Sequence, residues 1–324
     1  LLQYMRNNQE SVWMLQTKKA DFKQIGARFR IDPVTARIIR NRGIEGEAAI
    51  DRYLNGTLDD LYDPMLLKDM ERAVSILCEA VDTGKKIRIV GDYDIDGVCS
   101  TYILLQAFER LGSDVDFEIP DRIKVGYGIN ESIIEQAHAD GVEVILTCDN
   151  GISAFHQVEL AKKYGMTVVI TDHHEVPLDG EKEKIPPADA VIDPKQADCP
   201  YPFPEICGAV VAYKLVQVLY ARRGVPQMEW LDLLEFAAIA TVGDVMKLQD
   251  ENRILVKYGL KKMAQTKNLG LRRLAEKNNL DLGAITAYHI GFVIGPCLNA
   301  GGRLKTAKEA LALLRAQSEE EAER

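Results

Sequence analysis

The stretch Lys86-Ile87-Arg88-Ile89-Val90-Gly91-Asp92-Tyr93-Asp94-Ile95-Asp96-Gly97 joins a short, largely apolar run to a turn rich in carboxylates. The first five residues carry the pattern of a buried strand bounded by turn signals. The last seven alternate acidic residues through a tight turn that Gly97 permits. Carboxylates spaced in this way can converge on one hard cation.

The same strand signal recurs at Val115–Ile119, Val142–Thr147 and Thr167–Thr171, with helical patterns over Thr101–Leu111, Glu131–Ala139 and Ala154–Tyr164. Near-continuous apolar strands that alternate with helices form βαβ units, so the expected fold is α/β, a parallel β-sheet with helices on both faces. Crossovers in such units are right-handed. Upstream, residues 11–80 read as amphipathic and helical, with a break at Asn41-Arg42-Gly43-Ile44. A connector at Tyr62–Leu67 contains Pro64, and a helix near Asp69–Asp82 ends at Gly84. Beyond residue 205 the pattern is mostly helical, over 207–222, 229–241, 251–265, 268–277, 284–291 and 305–316.

The chain has 324 residues, 47% hydrophobic and 27% charged, the composition of a soluble globular protein. It contains no apolar run of about 18 residues, so no membrane span is expected and a cytoplasmic location is. Six cysteines (Cys78, Cys99, Cys148, Cys199, Cys207 and Cys297) include no C-x-x-C pair, which points to buried free thiols in a reducing compartment. A net charge of −9 argues against a nucleic-acid partner. The objection weakens if the acidic residues hold divalent cations, which reverse the local charge. Arg28, Arg30, Arg37, Arg40 and Arg42 form a basic cluster near the N-terminus. The first strand is not followed by G-x-G-x-x-G, which speaks against a dinucleotide-dependent oxidoreductase.

Ligands of open parallel sheets bind at the carboxyl ends of the strands. There the sequence places Asp94 and Asp96 after the first strand, Asp149 in Cys148-Asp149-Asn150-Gly151 after the third, and Asp172-His173-His174 after the fourth. Asp244 follows the apolar helix Phe236–Gly243, and a carboxylate emerging from a buried segment is costly unless paired or metal-bound. Each cluster alone has an ordinary explanation: a helix cap, an Asp-Asn-Gly turn, a structural histidine pair. Together at one rim they form an oxygen-rich set with one or two imidazoles, which suits manganese or magnesium better than zinc.

These motifs resemble the DHH phosphoesterase superfamily, named for the triplet found here as Asp172-His173-His174. Within it, Val90–Val98, Asp149–Ser153, Thr171–Glu175 and Thr241–Val245 are similar to motifs of the RecJ family of single-strand-specific exonucleases. So are Asn41–Ile44, Pro120-Asp121-Arg122 with Gly126-Tyr127-Gly128, Cys207-Gly208-Ala209, Glu251-Asn252-Arg253 and Leu298–Arg303. The resemblance implies a DHH phosphoesterase fold and three segments: a helical N-terminal part at 1–80, a catalytic α/β domain at 81–250, and a helical extension at 251–324 leading toward a further domain. The absence of an initial Met and the capless last helix suit a piece of a longer protein.

The implied activity is 5′-to-3′ degradation of single-stranded DNA in repair and recombination, through two-metal-activated water, with two Mn2+ ions or Mg2+ in their place. By resemblance, Asp94 binds the first ion, Asp96, His173 and Asp244 bind the second, and Asp149 bridges them. His174 contacts phosphate, Asp172 orients the cluster, and Arg122, Tyr127, Asn299 and Arg303 contact substrate. Single-stranded DNA is the implied partner, together with a single-strand-binding protein and a helicase. Two positions depart from the family: Val90, where some members place a histidine, and Cys297, where RecJ proteins usually place arginine. Two alternatives stand beside this one: a phosphodiesterase acting on cyclic dinucleotides or short oligonucleotides, and a non-catalytic DNA-replication scaffold.

Overall fold

Ile87 and Ile89 alternate with Arg88 and Val90 along the first strand, and this period of two divides the core of the molecule. The computed structural model describes residues 18–120, 128–304 and 307–324, with 301–304 as helical backbone. Strands β1 (Ile87–Val90), β2 (Val115–Glu118), β3 (Val144–Cys148), β4 (Thr167–Thr171) and β7 (Ala190–Ile192) form one sheet in the order β2-β1-β3-β4-β7. All four pairings are parallel. A separate antiparallel hairpin consists of β5 (Leu178–Asp179) and β6 (Lys182–Glu183).

One face of the sheet presents Ile87, Ile89, Val144, Leu146, Val169, Ala190 and Ile192 to four helices: α4 (Met70–Asp82), α5 (Ile95–Arg110), α8 (Gly208–Arg222) and α10 (Leu234–Gly243). The other face presents Val90, Ile145, Val168, Ile170 and Val191 to α6 (Glu131–Ala139) and α7 (Phe155–Lys163). The parallel sheet with helices on both faces is thus as the sequence predicts. Beyond α10 come α11 (Asp250–Met263), α12 (Leu269–Lys277), the short turn α13 (Ala287–His289), a π-helix (Ile290–Ile294), α14 (Gly295–Leu304), α15 (Ala307–Leu314) and α16 (Glu319–Glu323); α9 (Gln227–Leu231) precedes α10.

The backbone groups the described residues up to Thr57 into one compact unit and those from Leu58 onward into another. In the first, α1 (Phe22–Phe29), α2 (Pro33–Asn41) and α3 (Glu47–Asn55) gather around Ile39, Ile44, Ile50 and Tyr53. Asp32 caps α2 by accepting from Val34 N, with Pro33 in the first turn. Two members of the arginine cluster are engaged there, Arg28 with Glu47 and Arg40 with Glu45.

Three local expectations change. The carboxylate turn is the start of a helix: α5 begins at Ile95, and Asp94 caps it by accepting from Asp96 N and Gly97 N, each at 3.0 Å. Gly97 therefore serves close approach rather than a turn, since a Cβ there would lie 2.4 Å from the Asp92 carbonyl oxygen. The edge strand β7 is missed by pattern because three residues between Pro187 and Pro194 are too short to display a period. Gly295–Leu304, which falls between the expected helices 284–291 and 305–316, is helical and continues the π-helix without a break. The cysteines are all free, but only Cys99, Cys148 and Cys207 are buried; Cys297 is exposed. No helix among the described residues is long and apolar enough to cross a membrane.

Candidate metal centre

The carboxyl ends of β1, β3 and β4 place their acidic residues on one rim. At the end of β1, Asp96 is fully buried in the first turn of α5. Its Oδ2 accepts from Gly208 N at 2.6 Å and its Oδ1 from Ala209 N at 2.7 Å. These are the leading amides of α8, whose own helical partners do not exist, so the helix end holds the carboxylate. Gly208 must be glycine for a further reason: a Cβ would meet Asp149 Oδ1 at 2.8 Å. The sequence marks Cys207-Gly208-Ala209 only as a motif; its positioning role becomes visible when α8 docks against α5.

After β3, Asp149 has a left-handed backbone, φ 60°, unusual for a residue other than glycine and a form of strain found where function over-determines geometry. Asn150 secures this corner, its Nδ2 donating to Val90 O and Cys148 O at 3.0 and 2.9 Å. After β4, Asp172 Oδ1 accepts from the His173 and His174 amides, and its Oδ2 accepts from Ile152 N at 2.9 Å. His174 Nδ1 lies 2.7 Å from Asp172 Oδ1, which orients that ring. Asp244, just past the end of α10, completes the rim.

His173 Nε2 is the meeting point. It lies 3.0 Å from Asp149 Oδ1, 3.4 Å from Asp96 Oδ2 and 3.9 Å from Asp244 Oδ2. Two adjoining sets of ligand atoms result, each within 4.8 Å of one another: Asp96, His173 and Asp244 on one side, Asp92, Asp94 and Asp149 on the other. A third set, Asp149, His173 and His174, overlaps both. Asp92 is the member the sequence reading passed over, although it begins the same alternating run.

The electrostatics are those of crowded, desolvated anions. Burial, followed by the neighbouring Asp94, pushes the Asp92 carboxyl up to about 7. Burial, followed by Asp96, also raises Asp94, and the same two causes bring Asp244 to about 7. Burial and the Asp96 and Asp94 charges raise Asp149 far above the usual carboxylate range. Burial lowers His173, which favours the neutral, ligating imidazole. Burial opposes charge on His174, yet its hydrogen bond to Asp172 lifts it to about 9. Asp193, on the rim beyond β7, is also buried and raised to about 7, first by burial and then by Asp172. It was missed along with that strand.

The residues present fit a pair of hard divalent cations. Asp92 Oδ1 and Asp149 Oδ1 are buried and make no hydrogen bond, although Asp149 Oδ1 faces His173 Nε2. Oxygen donors outnumber nitrogen, and no thiolate takes part: Cys148 turns to the α5 face, 3.5 Å from Thr101 Oγ1. Divalent charge is what would relieve the mutual repulsion of these carboxylates.

Among the sequence-predicted substrate residues, Asn299 lies part-buried on α14, its Oδ1 without a hydrogen bond. The start of α14 packs beside the centre, since a Cβ on Gly295 would lie 3.5 Å from Ile95 Cδ1. Arg303 falls on the same helix, with its side chain outside the described residues, as are Arg122 and Tyr127. Val90, where some relatives place a histidine, is buried in the core on the α6–α7 face. Cys297 lies at the surface, 3.9 Å from Asn278 Nδ2.

Comparison with known proteins agrees with this geometry. The family described as "DHH family, N-terminal domain" matches residues 86–241. The single-stranded-DNA-specific exonuclease RecJ of Bacillus subtilis is 37% identical over 96% of this chain and 38% of its own length. The Haemophilus influenzae protein of the same name is 38% identical over 90% of this chain and 50% of its own. The chain therefore spans half or less of these relatives. RecJ from Thermus thermophilus, solved in complex with Mn2+, superimposes with a TM-score of 0.76 at 31% identity, covering 93% of this chain and 42% of that one. A second RecJ bound to manganese gives 0.71 at 35% identity, over 79% and 63%. The Asp172-His173-His174 triplet, seated at the rim of the five-stranded parallel sheet, lies within residues 86–241, the part of the chain that matches the N-terminal domain of the DHH family.

Proposed function

We propose that this chain carries the catalytic centre of a metal-dependent exonuclease that degrades single-stranded DNA from the 5′ end in DNA repair and recombination. The reading rests on one observation: Asp94, Asp96, Asp149, His173 and Asp244, spread over 151 positions of sequence, share one rim, with His173 Nε2 within 3.9 Å of three different carboxylates. RecJ relatives named as single-stranded-DNA-specific exonucleases, and a RecJ structure described as a complex with Mn2+, support the substrate and the metal.

Asp96, His173 and Asp244 would hold one ion, and Asp94 with Asp92 the other, with Asp149 between them. Bound there, two Mn2+ or Mg2+ ions supply Lewis acidity, lowering the pKa of a water toward neutrality and neutralising phosphate charge. The protein's own groups do the rest. The α8 amides keep Asp96 from swinging toward solvent. Asp172 fixes the ring of His174 so that it meets a non-bridging phosphate oxygen, where charge accumulates as the diester is attacked. Asn299 and Arg303 on α14 bind phosphate further along the strand, a guanidinium suiting that geometry. Arg122 and Tyr127, which follow β2 in sequence, contact substrate.

A single strand requires a process that exposes it, so a helicase and a single-strand-binding protein in the cytoplasm are the expected partners. The test is digestion of 5′- and 3′-labelled single strands beside a duplex, with Mn2+ supplied. Release of nucleotides from the 5′ end of the single strand, with the duplex intact, is expected. Cleavage of a cyclic dinucleotide alone, or nucleotide release from the 3′ end, overturns the proposal.

A further inference from the structure

Val245, Tyr288 and Phe292 are left in water at 86%, 65% and 70% exposure, on segments that carry or brace Asp244. Val245 directly follows that residue. Tyr288 and Phe292 flank Gly291, where a Cβ would lie 3.9 Å from Val242 Cγ1 in α10, two residues before Asp244. The two rings are four positions apart on the helical run that passes from α13 into the π-helix. They stack on each other, with centroids 4.8 Å apart and planes 28° from parallel. The run then enters α14 at Gly295, which packs on Ile95 between Asp94 and Asp96. π-helical turns are rare and concentrate at functional sites.

An exposed aromatic pair is costly in water, and a nest of carboxylates is its opposite in character. One class of occupant suits both at once: a flat group with an apolar face, joined to phosphate. We infer that Tyr288 and Phe292 form a stacking platform for the bases of the nucleic-acid strand whose phosphodiester lies at the metal centre; this rests on the phosphodiesterase reading above. Stacking on aromatic side chains tolerates any sequence because every base has a π face. It also selects for single strands, since a base inside a duplex has both faces covered by its neighbours.

The experiment titrates a single strand carrying 2-aminopurine, whose fluorescence is quenched by stacking, against the chain and the double variant Tyr288→Ala/Phe292→Ala. Binding by the unaltered chain should quench the fluorescence. The double variant should lose the quenching and bind roughly 10- to 100-fold more weakly, the range expected for one or two lost base stacks. In Mn2+ its KM for the strand should rise with kcat nearly unchanged, while hydrolysis of a strand of abasic units stays the same. Tyr288→Phe/Phe292→Tyr should restore quenching. Retained quenching and affinity in the alanine variant, or an equal loss on the abasic strand, overturns the platform. Quenching by a chain that hydrolyses no strand overturns the nuclease reading and leaves the platform standing.

Discussion

Helix α8 carries buried charge at two places and neutralises it in two different ways. At its start, the Gly208 and Ala209 amides hold Asp96 within a group of carboxylates that, together with burial, raise one another. Further along, Lys214 Nζ lies 3.0 Å from Glu251 Oε2 on α11, both side chains being almost wholly buried. There Tyr201 donates to Glu251, and Lys214 donates to Tyr62 O at 3.1 Å. The second place is electrically closed: the protein supplies its own counter-charge. The first is open and must take positive charge from outside. Glu251 belongs to one of the motifs that resemble RecJ, yet its place in the fold is a structural one. What separates a catalytic carboxylate from a structural one is whether its partner is built into the chain.

The strongest way to break that comparison is Asp149→Ala. Hydrolysis of single strands should fall by about three orders of magnitude or more, since the carboxylate proposed to lie between the two ions is lost. Circular dichroism should remain that of a folded protein, because relieving like-charge repulsion does not weaken the core. Retained turnover with Mn2+ supplied would sink the assignment. At the closed place the outcome reverses: Glu251→Gln should destabilise the fold by about 3–5 kcal/mol in denaturant titrations by taking the carboxylate charge away from the buried Lys214. A loss under about 1 kcal/mol would show that the pair is dispensable.

Metal addition sharpens the contrast. At about a hundredfold excess over Kd, Mn2+ should add about 2.7 kcal/mol to the stability of the unaltered chain and to Glu251→Gln, and little to Asp149→Ala. Equal thermal shifts in all three would place the ions elsewhere. The smallest expected effect concerns Glu235, a buried carboxyl remote from the rim that accepts from Thr266 and is pushed up to about 7 by burial. Its folded-state pKa exceeds the unfolded value, so between about pH 4.5 and 7 the folded chain binds more protons. Stability from this group is full at acid pH and is lost as pH rises through 7, on the order of 2 kcal/mol. Glu235→Gln should flatten that loss; an unchanged pH profile would show that Glu235 does not cause it.

Legibility in the sequence followed the range of the interaction. The four main strands and their helices were readable because burial on both faces leaves a continuous apolar run. The candidate metal ligands were readable because they immediately follow those runs. Asp92 escaped attention, although its spacing offered the same signal as Asp94 and Asp96. Strand β7, and Asp193 beyond it, had too little pattern to register. The exposed aromatic pair was invisible, since Tyr288 and Phe292 look like ordinary core residues until the fold leaves them exposed.

By itself, then, the amino-acid order determined the alternation of strand and helix and which carboxylates and imidazoles stand at strand ends. These depend on side-chain periodicity and on chemistry within a few residues. Tertiary structure alone decided that Asp96 meets the amides of Gly208 and Ala209, 112 and 113 positions away, and that Lys214 rather than a metal answers Glu251. Such pairings depend on how helices dock on the two faces of the sheet, which is a property of packing over the whole core and leaves no local mark.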